Sequence, residues 1–127
     1  NGGTLSTAGN LVFQGTSMGR FRAYAADTGK QLLDLDMQSG IVSAPSTFRV
    51  GGVQYVAFMT SKGGAFPLVA GIVGGATRKV PNLPRLVVLK LGGTAQLPAL
   101  PAATALDWNP PPAFGTAAEI AAGKAVY

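Results

Sequence analysis

The sequence contains no cysteine and no histidine. These absences exclude disulfides, thiol nucleophiles, Ser-His catalysis and the usual zinc ligands within the chain. Charged residues make up only 12%, and the net charge of +5 comes from basic residues that stand singly or in pairs, such as Arg20 with Arg22. Nucleic-acid binding needs a basic face or stripe, so we predict no nucleic-acid partner. No apolar run approaches the ~20 residues of a membrane span, and we predict none.

Apolar residues are abundant, at 47%, and are accompanied by 18 glycines and 9 prolines. This composition favours a turn-rich, all-β protein over a helical one. The 127 residues suffice for one modest domain. We expect the chain to open within a β-rich repeat and residues 116–127 to begin a helix of another domain. We therefore expect a piece of a larger two-domain protein, with any targeting segment upstream of Asn1.

Short apolar or alternating segments between turn signals predict six or so strands. Turns are expected at Ser17–Gly19, Asp27–Gly29 and Gly51–Gly52. The density of glycine and proline between residues 63 and 84 predicts a long functional or interfacial loop. Strands at this spacing favour antiparallel hairpins, for which four-stranded propeller blades of ~40 residues are one solution. The predicted strands are Leu11–Gln14, Arg20–Tyr24, Leu32–Asp36, one running from Ile41–Val42 to Ser46–Val50 with an interruption near Pro45, Gln54–Met59 and Arg85–Leu91.

Prolines dominate the segment between Leu97 and Gly115, which predicts a semi-rigid, extended spacer. Trp108, the only tryptophan, lies in it, and we expect this ring to pin the spacer onto the β-domain. Thr116 and Glu119 have the spacing of a capping box, so a helix is predicted to begin there.

Four segments together resemble the C-terminal blades of the alcohol dehydrogenases that depend on pyrroloquinoline quinone (PQQ). The proline-rich spacer and the helix 118–127 are similar to the junction with the cytochrome c domain in the quinohaemoprotein branch of that family. The resemblance implies an all-β partial β-propeller, the last blades of an eight-bladed PQQ-type ring, followed by the extended linker and a short α-helix. It places the blades at 1–96, the linker at 97–115 and the truncated first helix of the cytochrome domain at 116–127. The four segments are Gly2–Thr16, Ala23–Lys30, Ser39–Val42 and Gln54–Ala57.

The family's blades carry a docking motif, Ala-x-Asp-x-x-Thr-Gly-x-x-x-Trp, whose indole packs against the next blade. Ala23, Thr28 and Gly29 match this motif, but Ala25 stands at the usual Asp and Leu33 at the usual Trp. Leucine buries less surface than tryptophan, so we expect a cavity or local repacking at this position.

The resemblance implies that Asn1, Gly63, Gly64 and Ala65 contribute to the PQQ pocket. Glycines let backbone approach an anionic, carboxylate-bearing ring closely, although a Gly-Gly pair also marks an ordinary turn. Lys62 stands near a position that is usually aromatic in the quinohaemoprotein branch. It has two interpretations, an ion pair with a PQQ carboxylate or a solvated loop lysine.

The function implied by the resemblance is alcohol oxidation in the periplasm, with PQQ, Ca²⁺ and haem c as cofactors of the whole enzyme. No catalytic residue and no metal ligand of the family falls on this chain, so we expect the segment alone to be inactive. The resemblance also implies a haem-attachment motif, Cys-x-x-Cys-His, within roughly ten residues after Tyr127. One alternative is a non-catalytic PQQ-like propeller scaffold, to which the changes at Ala25 and Leu33 lend some weight, although such scaffolds are not followed by a proline-rich linker and a cytochrome-like helix. The other is a degenerate or truncated gene product.

Overall fold

The computed structural model describes residues 2–63, 79–102, 109, 112 and 115–126, and in them the chain forms two antiparallel sheets and one helix. The first sheet has the order β1-β2-β3-β4 and the second the order β5-β6-β7. This arrangement confirms the predicted all-β class and its construction from hairpins. The elements are β1 (Thr4–Thr7), β2 (Leu11–Gly15), β3 (Arg20–Ala25), β4 (Gln31–Asp36), β5 (Ser46–Val50), β6 (Val53–Thr60), β7 (Arg85–Lys90) and α1 (Ala117–Val126).

Tight turns fix the register of the first sheet, at the positions that the sequence predicts. In the β2–β3 turn the Gly19 amide donates to the Thr16 carbonyl (3.0 Å), and Gly19 has a φ of 82°. In the β3–β4 turn the Gly29 amide donates to the Ala25 carbonyl (2.9 Å), and Gly29 has a φ of 69°. Positive φ values are readily open to glycine because it has no Cβ. Strand β1 was not predicted, since its short, Ser- and Thr-rich sequence gives little apolar signal.

One strand prediction is wrong: Ile41 and Val42 belong to no strand, and β5 begins only at Ser46. The Ile41 amide donates to the Thr16 carbonyl (2.8 Å), in the turn of the first sheet, while the Gly40 carbonyl accepts from the Ser61 amide (2.7 Å), after β6. The backbone of this segment therefore bonds to both sheets as a connection between them, and does not enter a ladder. Its apolar character comes from Ile41, which is fully buried between the sheets.

The core lies between the inner faces of the two sheets. Phe21 of β3 and Phe58 of β6 stack with their ring centroids 4.0 Å apart and an interplanar angle of 9°. Both rings are buried, as is Ile41. Side chains alternate along a strand, so the residues on either side of each core residue point to the outer face of the sheet.

The outer face of the first sheet is polar and carries an ion cluster. The Arg20 Nε lies 2.8 Å from Asp34 Oδ1, and the Arg22 Nε lies 3.4 Å from Asp34 Oδ2. A further pair joins Arg20 to Asp36 at 3.7 Å. The hydrogen bond from Arg20 lowers the pKa of Asp34, since it stabilises the charged carboxylate, and Arg22 adds to the effect.

The outer face of the second sheet is apolar. The register pairs Phe48 with Tyr55 and Ala57 with Val88, so these residues share the face that points away from the core. Its large apolar side chains are between 43% and 66% exposed: Phe48, Val50, Val53, Met59, Leu86 and Val88.

The predicted capping box is confirmed at the start of α1. The Thr116 amide donates to Glu119 Oε2 (2.7 Å), and the Glu119 amide donates to Thr116 Oγ1 (3.3 Å). The bond from the Thr116 amide lowers the pKa of Glu119. In the spacer, Leu97 is partly buried against the core. Trp108 lies outside the described residues.

Candidate functional site

The candidate site is the turn that follows β6, formed by Ser61, Lys62 and Gly63, which we call the β6 turn. All three residues are half-buried. The Gly63 amide donates to Ser61 Oγ (3.1 Å), and Gly63 has a φ of 47°. A Cβ on Gly63 would lie 2.5 Å from Val42 Cγ2, so the turn packs closely on the connection between the sheets. Only glycine meets both conditions at this position, the positive φ and the short approach to Val42.

The β6 turn is also fixed by Asn82, which precedes β7. The side-chain oxygen Oδ1 of Asn82 accepts two hydrogen bonds, from the Lys62 amide (2.9 Å) and from Ser61 Oγ (3.2 Å). Asn82 is itself exposed. The turn therefore obtains its fixed geometry from a residue about 20 positions further along the chain.

The backbone beside Asn82 is anchored by buried hydroxyl groups. The Leu83 amide donates to Ser39 Oγ (3.0 Å), and the Leu83 carbonyl accepts from Thr60 Oγ1 (2.8 Å). Ser39 and Thr60 are both fully buried. A buried hydroxyl is costly unless it is hydrogen-bonded, so these two bonds hold Leu83 firmly against the end of β6.

The structure brings two of the predicted stretches to one place. A Cβ on Gly2 would lie 2.7 Å from the Ser43 carbonyl oxygen, and one on Gly63 would meet Val42. The beginning of the chain and the β6 turn thus both pack closely on the segment Ile41–Ser43. Of the predicted site residues, Gly63 is described, whereas Asn1, Gly64 and Ala65 lie outside the described residues.

The chemistry that the β6 turn can offer differs from the sequence expectation in one respect. The amide of Gly63 already has an acceptor in Ser61 Oγ, so it is not an available donor, and the side of Gly63 that lacks a side chain packs on Val42. Lys62, in the same turn, is half-buried and carries a positive charge. A positive charge in a fixed turn suits a carboxylate-bearing ligand.

Sequence reasoning missed Asn82 and the role of Ser61. Asn82 lies between two prolines, in a segment that reads as an ordinary loop, and no local pattern connects it with Ser61. Only contacts between residues distant in the sequence show that this side chain serves the turn.

The part of the chain that the structure describes holds no group of three or more His, Cys, Asp or Glu residues arranged to bind a metal ion. None of its helices is both long and apolar enough to cross a membrane.

A groove of about 750 Å³ runs along the outer edge of β7, between Leu35 of β4 and Val87, and residues of the β6 turn do not line it.

Comparison with known proteins gives consistent results. The family model "Glucose/ethanol/alcohol dehydrogenase, beta-propeller domain" matches residues 1–56. The chain is 48% identical to quinohemoprotein alcohol dehydrogenase ADH IIB of Pseudomonas putida, over 100% of this chain and 18% of the relative. The solved structure of quinohemoprotein alcohol dehydrogenase ADHIIG from Pseudomonas putida HK5 matches with a TM-score of 0.78 and 47% identity, over 100% of this chain and 18% of that one. That of quinohemoprotein alcohol dehydrogenase from Comamonas testosteroni matches with a TM-score of 0.67 and 41% identity, over 79% of this chain and 14% of that one. The chain therefore spans less than a fifth of the length of these relatives.

Proposed function

This chain belongs to the quinohaemoprotein alcohol dehydrogenase family, and on that basis we propose that it forms one wall of a PQQ pocket in an alcohol-oxidising enzyme. The observation that carries the proposal is the approach of Gly2 and the β6 turn to the same segment, Ile41–Ser43. The resemblance assigns the residues next to these two glycines, Asn1 on one side and Gly64 with Ala65 on the other, to the same pocket.

Within this pocket the described residues have distinct tasks. Gly63, which needs no room for a side chain, lets the β6 turn lie close to Val42 and so sets the position of the turn, and the positive charge of Lys62 attracts a carboxylate of the cofactor. PQQ, when bound, would supply the oxidising chemistry for the alcohol. The catalytic aspartate and the Ca²⁺ ligands belong to other blades of the ring, so this segment shapes the pocket and does not itself transfer protons.

The remaining parts of the proposal concern the whole enzyme. Residues 1–96 form its last blades, 97–115 are the linker, and 116–127 are the first helix of a cytochrome c domain. That domain would hold haem c as the electron acceptor, and the location that we propose is the periplasm. The coding sequence beyond Tyr127 tests this part directly, because a Cys-x-x-Cys-His motif is expected within roughly ten residues. A reading frame that ends or continues without the motif would remove the electron-transfer role.

A segment exchange tests the pocket. The Pseudomonas putida ADH-IIG relative aligns with this chain over 127 residues at 46% identity, so the matching segment can be replaced by this chain. We expect the resulting chimera to bind PQQ in the presence of Ca²⁺ and to reduce a dye when alcohol is added. PQQ binding is measured by calorimetry and oxidation by the rate of dye bleaching. A well-folded chimera that binds no PQQ would support the scaffold or degenerate alternatives instead.

Two glycine variants of the chimera locate the cofactor. Gly63→Ala forces a Cβ towards Val42 and displaces the β6 turn, and we expect PQQ affinity to fall about tenfold, equivalent to ~1.4 kcal/mol. Gly52→Ala is the matched control, because Gly52 also has a positive φ (80°) but its Cβ would meet nothing within 4 Å. Equal PQQ affinities in the two variants would place the turn outside the pocket.

The 127-residue chain alone provides a further test. Most of the pocket is supplied by other blades, so we expect it to bind PQQ weakly or not at all. Submicromolar binding in a calorimetric titration with PQQ and Ca²⁺, together with alcohol-dependent dye reduction, would show that the site has been misplaced.

A further inference from the structure

We propose that Asn82 is a positioning residue of the PQQ pocket, which acts by fixing the β6 turn in the conformation that presents Gly63. The inference rests on the proposed placement of that turn at the quinone. Asn82 itself does not touch the cofactor in this scheme.

The first step of the argument is the geometry of the Asn82 side chain. A single atom, Oδ1, accepts from the Lys62 amide at 2.9 Å and from Ser61 Oγ at 3.2 Å. Ser61 Oγ in turn accepts from the Gly63 amide at 3.1 Å. Asn82, Ser61 and Gly63 therefore form a relay of hydrogen bonds, and the position of Gly63 depends on Oδ1.

The second step is that Asn82 has a rigid support. The bonds from Leu83 to Ser39 and Thr60 tie the adjacent backbone to two fully buried hydroxyl groups. On the opposite side, the Ser61 amide donates to the Gly40 carbonyl at 2.7 Å. The turn is thus held between two fixed points, and the half-buried residues Lys62 and Gly63 lie between them.

The third step concerns what the pocket needs from the turn. Gly63 serves the quinone only by its place, since it has no side chain and its amide is engaged. If the turn opens, the apparent affinity for PQQ decreases in proportion to the fraction of molecules with the turn formed. A residue that keeps the turn formed therefore contributes to cofactor affinity without contact.

Amide hydrogen exchange, followed by NMR on the 127-residue chain, directly tests whether Asn82 fixes the β6 turn. In Asn82→Ala the Lys62 amide loses its acceptor and the relay to Gly63 is broken, so both amides should exchange about fivefold faster, as expected for a typical hydrogen bond. Asn82→Asp keeps the oxygen at this position and should restore slow exchange. The Phe58 amide in the core reports on global folding and should be unchanged.

Gln54→Ala is the matched control, because it also removes an exposed side-chain amide from the second sheet. Gln54 donates to Thr47 Oγ1 at 2.9 Å, at the far end of β6. We expect it to leave the exchange of Lys62 and Gly63 at the wild-type rate. Equal exchange rates for these two amides in Asn82→Ala, Gln54→Ala and the wild type would overturn the proposal.

PQQ affinity in the chimera distinguishes the proposed role of Asn82 from the proposed location of the pocket. Asn82→Ala should weaken PQQ binding by up to about fivefold, the limit set by the expected increase in turn opening, at a melting temperature equal to that of Gln54→Ala. If Gly63→Ala weakens binding and Asn82→Ala does not, the role of Asn82 is overturned and the proposed pocket stands. If the amides exchange faster in Asn82→Ala but neither variant changes PQQ affinity, the turn does not lie at the quinone, and both proposals fall.

Discussion

The two sheets share a similar inner face but have very different outer faces. Both turn aromatic and aliphatic side chains inward, where Phe21 and Phe58 stack. On the outside, the first sheet carries the ion cluster around Asp34, whereas the second exposes apolar side chains such as Leu86, at 66%. A sheet with one polar face can meet water on that side, while two apolar faces are typical of a layer that is covered on both sides. The difference fits a chain that spans 18% of its relative's length.

Phe58→Ala should have the largest effect, because it removes one of the two stacked rings between the sheets. We expect a loss of about 3–5 kcal/mol in the free energy of unfolding, measured by urea denaturation. Phe48→Ala is the matched control on the outer face, where the ring is 43% exposed and stacks on Tyr55 at 5.4 Å. Its cost should stay at about 1 kcal/mol. Similar losses in both variants would show that the outer face is buried in solution.

Leu33→Trp tests the inner face of the first sheet at the altered docking motif. Leu33 is partly buried and packs against the core. An indole there should stabilise the propeller by about 1 kcal/mol if the neighbouring side chains leave room. The measurement is the melting temperature of the chimera. Leu32→Trp, at the adjacent position that is 52% exposed, serves as the control. A lower melting temperature for Leu33→Trp would mean that the motif position has repacked around leucine.

Asp34→Asn tests the polar outer face through its pH dependence. The folded-state pKa of Asp34 is lowered, first of all by the hydrogen bond from Arg20. Its stabilising contribution is therefore present above the unfolded pKa, about 4, and is lost as the pH falls through the lower folded value. The wild type should lose stability with acid below pH ~4 more steeply than the variant, in melting temperatures measured from pH 2 to 7. High salt should reduce this difference, since the pairs are partly exposed. Parallel curves for the two proteins would exclude a role for the cluster.

Leu86→Lys should change the free energy of unfolding least, within about 0.5 kcal/mol, because Leu86 is exposed. It should nevertheless reduce self-association of the 127-residue chain, since it interrupts the apolar outer face of the second sheet. Sedimentation at several concentrations measures the effect. Ser6→Lys adds the same charge to the polar outer face of the first sheet and should leave association unchanged. Equal effects of the two lysines would indicate that net charge, and not the apolar face, controls association.

Local chemistry made much of the fold predictable. Glycines at 19, 29, 51 and 52 mark the turns, and they all have positive φ in the structure. The alternation in Arg20–Ala25 separates the inner from the outer face of β3. The spacing of Thr116 and Glu119 is enough to predict the cap of α1, because its hydrogen bonds join residues only three positions apart.

The strand predictions failed where the burial or the pairing of a segment depends on contacts with distant parts of the chain. Ile41 resembles a strand residue because it is buried, but its backbone bonds to the turn at Thr16 and not to a ladder. Strand β1 has little apolar signal of its own, and its pairing with β2 stabilises it.

By itself, the sequence indicated the hairpins, which depend on residue types at short spacing, and its resemblance to the PQQ-dependent alcohol dehydrogenases implied Gly63 as a candidate pocket residue. Only the tertiary structure decided that Gly2 and Gly63 pack on one segment. It also decided that the Asn82 side chain accepts a hydrogen bond from the β6 turn. The physical reason is that these contacts are side-chain and close-approach contacts between distant positions. They leave no periodic signal in the sequence, and they exist only once the two sheets have packed around Phe21 and Phe58.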